Sequence, residues 1–182
     1  MKVAWAQAVP EDFHARFSAL SRRYLYLFND ASQPMALGES QWWTVGQLDV
    51  AAMHQGAQSL LGEQDFSAVR AAGCQSPTAW RCIHRVAVAR FGQLVVLDIE
   101  ANAFLLHMVR NIASMLVQVG LAKKDVSWTA QLLQGKDRSQ LGPTAPPQGL
   151  YLAAVRYPAE LGLPGLRLPP PLVALSGSPL LD

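Results

Sequence analysis

Three features of this 182-residue sequence predict an α+β fold of the ferredoxin-like split β-α-β kind, an antiparallel sheet with helices on one face. Strand-like alternation of apolar and polar residues recurs at 22–28, 82–91, 93–101 and 150–157. Apolar residues at helical spacing fill 50–61 and 105–121 between those segments. The resulting order is strand, helix, strand, strand, helix, strand.

The first strand, Arg22 to Phe28, is rich in aromatics and is closed by Asn29-Asp30. A loop with Pro34 and Gly38 follows, and Gln41 to Val45 reads as a short edge strand. Val50, Met53, Ala57, Leu60 and Leu61 recur at helical spacing and stop at Gly62. CIHRVAVARF and QLVVLDIEA, joined near Gly92, predict a hairpin. Leu105 to Leu121 is the clearest helix, and a shorter one, Trp128 to Gln134, ends at Gly135. LYLAAVRY, Leu150 to Tyr157, is the last strand, stopped by Pro158. This organisation is one α+β domain over 1–158 and a Pro/Gly-rich extended tail over 159–182.

The chain is long enough for one domain with a substantial core. It is 51% hydrophobic and only 15% charged, so large apolar surfaces must be covered. Its apolar runs are too short for a membrane span, and the start, MKVAWAQAVP, does not make a signal peptide. Cys74 and Cys82 have no second pair, which suits neither a zinc site nor a disulfide framework and points to a reducing cytoplasm.

The net charge of +2 hides an asymmetry. Residues 29–65 hold five acids and no lysine or arginine, whereas residues 66–124 hold seven basic residues against Asp98 and Glu100. With Arg16, Arg22 and Arg23, that is enough positive charge to line a face for a polyanion, although an unevenly charged solvated surface fits equally well.

Chemistry concentrates on the long helix. His107, Arg110, Asn111, Ser114 and Gln118 share one stripe, and apolar residues cover the rest. A guanidinium there needs a wet edge or an anion, because a buried unpaired charge costs several kcal/mol or more. Its spacing leaves two readings: an ion pair with Asp98 or Glu100, or a cleft arginine aimed at a catalytic carboxylate or a phosphate. The four histidines are scattered, with no metal-type spacing, and neither a nucleophile elbow nor a phosphate loop is present. Tyr24, Tyr26 and Phe28 lie on one side of the first strand; core is the expected role for two of the rings, and Tyr24, at the open end, is the one placed to stack on a base.

Four segments carry a resemblance. FHARFSALSRRYLYL, LLGEQDFSAVR, IEANAFLLHMVRNI and GLYLAAVRYP are similar, in register, to the bacterial tRNA pseudouridine synthase A family. The resemblance implies an enzyme that isomerises uridine to pseudouridine in the anticodon arm of tRNA, without cofactor or metal, acting on a flipped-out base. It implies a cytoplasmic homodimer in which one tRNA touches both subunits. It assigns Tyr24, in RRYLY, to stacking on the uracil and assisting late proton removal from C5. Arg110, in HMVRN, matches the arginine that pairs with the catalytic aspartate, and Leu150, in GLYL, an apolar wall of the base pocket. Arg16, Arg22 and Arg23 become expected tRNA backbone contacts. The family's nucleophile lies in a GRTDAGVH motif that this sequence lacks, so the chain resembles the C-terminal domain alone and is expected to be inactive by itself. The other reading is a non-catalytic ferredoxin-like RNA-binding or dimerisation module; FGQLVVLDIEA does not match the aromatic segments of an RNA recognition motif.

Overall fold

The computed structural model describes residues 3, 5–31, 41–44, 46–92 and 94–164. The expected loop with Pro34 and Gly38 lies outside the described residues, as does the tail from residue 165 onward. The part of the tail that is described begins with a 3-10 turn, Ala159–Leu161.

The described strands are β1 (Ser21–Asn29), β2 (Trp42–Trp43), β3 (Gly62–Asp65), β4 (Trp80–Phe91), β5 (Leu94–Ala101) and β6 (Leu150–Arg156). They form one sheet in the order β2-β1-β5-β4-β3, with β6 also on β1. The run β6-β1-β5-β4 is antiparallel throughout, which is the ferredoxin-like order. β1 and β4 run parallel with β5 between them, so the helix connecting them crosses over β5, and the connection from β5 to β6 does the same over β1. β2 pairs in parallel with the end of β1 at Phe28↔Trp42, beyond the reach of β6.

The helices are α1 (Val50–Ala57), α2 (Met108–Gly120) and α3 (Trp128–Gly135). Asp49 caps α1, its carboxylate accepting the Ala52 amide at 2.9 Å. The helix stops short of the predicted Leu61 and tightens into a 3-10 turn, Gln58–Leu60. Gly62 then opens β3, an element the sequence did not signal, because GEQD carries no apolar alternation. β3 exists by pairing with β4, which starts at Trp80 and runs further back than its alternating residues suggest.

Alternation along β1 decides what each residue does. Tyr26 and Phe28 are fully buried in the core under the helices, together with Val95, Leu97 and Ile99 of β5. Leu25 and Leu27 point the other way, into a smaller cluster with Val96 and Ala153. α2 completes the core with Met108, Ile112, Met115 and Leu116, all fully buried. Its high apolar content follows from being packed on nearly every side.

Candidate active-site surface on the helix side of the sheet

Tyr24, Leu150 and Arg110 are each placed by their relation to Tyr26, on the helix side of the sheet. Tyr24 is two residues before Tyr26 and shares its face. Leu150 pairs directly with Tyr26 across the β1–β6 ladder, which places both on one face. Tyr24 and Leu150 are each half-buried at the margin of the core. The Tyr24 ring is met edge-on by Phe104, with centroids 5.1 Å apart, so one side of the phenol is fixed by packing.

Arg110 reaches this surface from the first turns of α2. Its Nε–H donates to the Ala145 carbonyl at 2.7 Å. The neighbouring Pro146 carbonyl accepts the Tyr26 hydroxyl at 2.7 Å, so consecutive carbonyls are held by the two side chains. Burial pushes the Tyr26 hydroxyl pKa well up, and the positive charge of Arg110 opposes that rise. Tyr26 is therefore a fixed hydrogen-bond donor.

Three residues of the polar stripe hold one strap of chain against α2. Gln118 donates to the Leu141 carbonyl at 2.7 Å, Ser114 to Pro143 at 2.7 Å and Arg110 to Ala145 at 2.7 Å. Four helical residues advance about 6 Å and two extended residues nearly 7 Å, so side chains at every fourth position match every second carbonyl of a strap running antiparallel to the helix. Buried Asn111 locks the strap from its other side. Its Nδ2 donates to the Val69 carbonyl at 2.8 Å, while its Oδ1 accepts from Thr144 at 2.8 Å and Arg138 at 3.2 Å. Sequence reasoning missed this lock; the only signal is the regular stripe beside a proline-rich segment, GPTAPPQG.

The ion pair between Arg110 and Asp98 or Glu100 does not form. Asp98 is fully buried on the reverse face of the sheet, where it accepts Arg23 Nε at 2.7 Å and Nη2 at 2.5 Å and Arg85 Nη2 at 2.9 Å. Glu100 accepts the Ser21 hydroxyl at 2.6 Å and meets Arg156 at 3.2 Å. Arg110 has a backbone carbonyl instead, and no acid within ion-pair distance among the described residues.

Arg23 also departs from expectation. It is only 6% exposed and committed to Asp98 on the reverse face, a structural position that does not suit contact with a nucleic-acid backbone. Arg22, one residue earlier, shares the face of Tyr24 and donates to the carbonyls of Asn102 at 2.8 Å, Ala19 at 3.0 Å and Arg16. Arg16 is exposed, its guanidinium 5.7 Å from the centre of the Phe17 ring. His107, just before α2, adopts a left-handed backbone at φ 57, a costly conformation for a residue with a side chain. Among the described residues, no three His, Cys, Asp or Glu side chains gather as a metal site, and no helix is long and apolar enough to cross a membrane.

Comparison with known proteins supplies an independent line. Residues 57–158 match the model of a family described as tRNA pseudouridine synthase. The chain is 52% identical to the tRNA pseudouridine synthase A of Shewanella amazonensis over 92% of this chain and 65% of that protein. It is 53% identical to the tRNA pseudouridine synthase A of Aeromonas salmonicida over 92% of this chain and 63% of that protein. A relative of the same name from Legionella pneumophila is 52% identical over 88% of this chain and 62% of its own length. The chain thus spans a little under two thirds of the length of these curated relatives.

Proposed function

Since this chain belongs to the tRNA pseudouridine synthase family, we propose that it is the C-terminal part of an enzyme that isomerises uridine to pseudouridine in the anticodon arm of tRNA. The observation that supports this reading is that Tyr24, Leu150 and Arg110 all relate to Tyr26 on the helix side of the sheet, with Arg110 anchored by Nε and its two terminal nitrogens unpartnered among the described residues. A guanidinium tied at Nε presents a planar fork, the geometry that takes a carboxylate through two charge-assisted hydrogen bonds.

In the proposed reaction a carboxylate supplied from outside this chain acts as nucleophile. Arg110 holds that carboxylate ionised and oriented, because an adjacent positive charge favours the charged form. The carboxylate bonds to C1′ as the C1′–N1 glycosidic bond breaks, the uracil turns, and C5 bonds to C1′ as the carboxylate–C1′ bond breaks and the carboxylate is released. The proton leaves C5, with Tyr24 assisting, and the former glycosidic nitrogen ends protonated. No net electrons are exchanged, so the chemistry calls for no redox cofactor. Tyr24 stacks on the uracil, backed by Phe104, and Leu150 supplies an apolar wall. Arg16 and Arg22 face the tRNA backbone. The enzyme works as a cytoplasmic homodimer with one tRNA touching both subunits.

Tritium release from tRNA carrying 5-tritiated uridine tests the assignment. The 182-residue chain alone releases none, and a fusion with the unmatched third of the Shewanella amazonensis relative placed ahead of it releases tritium. An inactive but folded fusion overturns the enzyme reading in favour of a binding module, and activity of the chain alone overturns the external nucleophile.

A further inference from the structure

The cations of the described chain divide by what holds them. Arg23, Arg85, Arg90, Arg156 and Lys136 each meet a carboxylate. Arg70 and Arg81 are held together with no carboxylate within ion-pair distance among the described residues. Arg70 donates to the carbonyls of Cys74 at 2.7 Å and Ser76 at 2.6 Å. Arg81 donates to the Ser76 hydroxyl at 2.5 Å, the Thr78 carbonyl at 3.2 Å and the Trp80 carbonyl. Both guanidiniums thus converge on Ser76, and the buried Nε of Arg81 has no hydrogen-bond partner among the described residues.

Neutral carbonyls satisfy donors without cancelling charge, so this loop holds two positive charges side by side. Burial lowers the Arg81 pKa, negative charge on Cys74 opposes that, and the charge of Arg70 adds to the lowering. The same place favours negative charge on its thiol. Burial raises the Cys74 pKa, but hydrogen bonds from the Leu106 and Ser76 amides and from Arg70 outweigh that and leave it below the ordinary value. The site is built for an anion.

Its position says which anion. The Ala71 amide donates to the Leu106 carbonyl at 3.2 Å, and the Leu106 amide donates to Cys74 Sγ at 3.4 Å, so the arginine loop is laced to the segment entering α2. Phe104 of that segment packs edge-on against Tyr24.

We propose that Arg70 and Arg81 together bind a phosphate of the RNA backbone next to the nucleotide held at Tyr24. This rests on the function proposed above for the Tyr24 surface. The two forks offer several N–H donors to phosphate oxygens, and the bound phosphate supplies the counter-charge this loop lacks.

The test is the salt dependence of binding of an unmodified tRNA transcript to the 182-residue chain. Removing one cation that neutralises a phosphate makes the slope of log affinity against log salt shallower by about 0.7–0.9. The combined change Arg70→Gln and Arg81→Gln, which empties that one phosphate site, reduces the slope by about 0.7–0.9. Arg156→Gln, which removes the same unit charge from an arginine paired with Glu100, leaves it unchanged. An unchanged slope in the folded double variant overturns the proposal, and so does a wild-type chain that binds no tRNA at low salt. Neither outcome bears on the tritium-release test of the fusion, so the two readings fail separately. Should the double variant not fold, phenylglyoxal labelling of the wild-type chain gives the same answer: tRNA protects Arg70 and Arg81, and equal labelling with and without tRNA overturns the proposal.

Discussion

Arg110 spends its Nε–H on the Ala145 carbonyl, 2.7 Å away, and that single bond fixes the direction in which the remaining fork points. The bond does not neutralise the guanidinium. Its charge remains available to a carboxylate, and its orientation depends on a strap that other residues of α2 hold in place.

Replacing Arg110 therefore separates chemistry from binding. In the active fusion, Arg110→Ala abolishes tritium release and changes tRNA affinity only severalfold, since one charge among many is removed. Arg110→Lys keeps the charge but cannot hold both Ala145 and a carboxylate in a planar fork, so turnover falls about 100-fold, the cost of an ångström-scale misplacement. Near-normal turnover in either variant would show that Arg110 has been given the wrong role.

Asn111→Ala removes the strap's lock. It deprives the Val69 carbonyl and the Thr144 hydroxyl donor of their partner, and leaves Arg138 only Gly142 and Thr144. Leaving buried polar groups unsatisfied costs about 1–3 kcal/mol, which lowers the melting temperature by several degrees in a domain this size. Amide exchange in residues 141–147 should quicken more than exchange in the β1–β5 ladder. Uniform quickening, or none in the strap, would argue against the lock.

Asp30 gives the fold a pH dependence of defined sign. Hydrogen bonds from Arg90 are the main cause that holds the Asp30 carboxyl below its ordinary value, and burial opposes them. A carboxylate with a depressed folded-state pKa contributes stability that is fully present above its unfolded value, near 4, and is lost as pH falls through the lower folded value. Asp30 also accepts the Leu48 amide at 2.8 Å, and Arg90 donates to the Leu48 carbonyl at 3.0 Å, so the cluster ties the ends of β1 and β4 to the entry of α1. Asp30→Asn should cost about 2–3 kcal/mol at neutral pH, less than a fully buried pair because Arg90 is one-third exposed. The variant's deficit should shrink as the wild type is acidified below pH 4; a deficit that is constant with pH would exclude this ion pair as its source.

What the sequence made legible follows from parity and periodicity. The alternation in SRRYLYLF separates Tyr24, Tyr26 and Phe28 from Leu25 and Leu27, and the same parity puts Arg23 on the reverse face, against its expected contact with a tRNA backbone. Assigning Asp98 or Glu100 to Arg110 required the register of β1 against β5, which no local pattern encodes; Tyr24 pairs with Ile99 and Tyr26 with Leu97, so both acids face away from α2. The stripe on α2 was visible, yet its partner was a loop, and a loop's path is set by where its ends are anchored. β3 was invisible because its pairing is determined by β4.

Gly149 is where the strap turns into β6. Its φ of +92 is one that residues with side chains rarely adopt, and an added Cβ would lie 2.5 Å from the Leu27 carbonyl oxygen and 3.2 Å from the Trp42 amide nitrogen. Both obstacles are backbone, so no flexible side chain can give way. The Gly149 carbonyl meanwhile accepts the Leu27 amide at 2.9 Å, which seats the start of β6 on β1 and sets Leu150 opposite Tyr26. Gly149→Ala should cost at least about 2 kcal/mol from backbone strain alone. The chain must move at Gly149, so Leu150 moves with it, and in the active fusion turnover should fall further than tRNA affinity. A variant that melts within a degree of wild type and turns over normally would mean that this junction is free to shift, and that the β6 register does not position the apolar wall of the pocket.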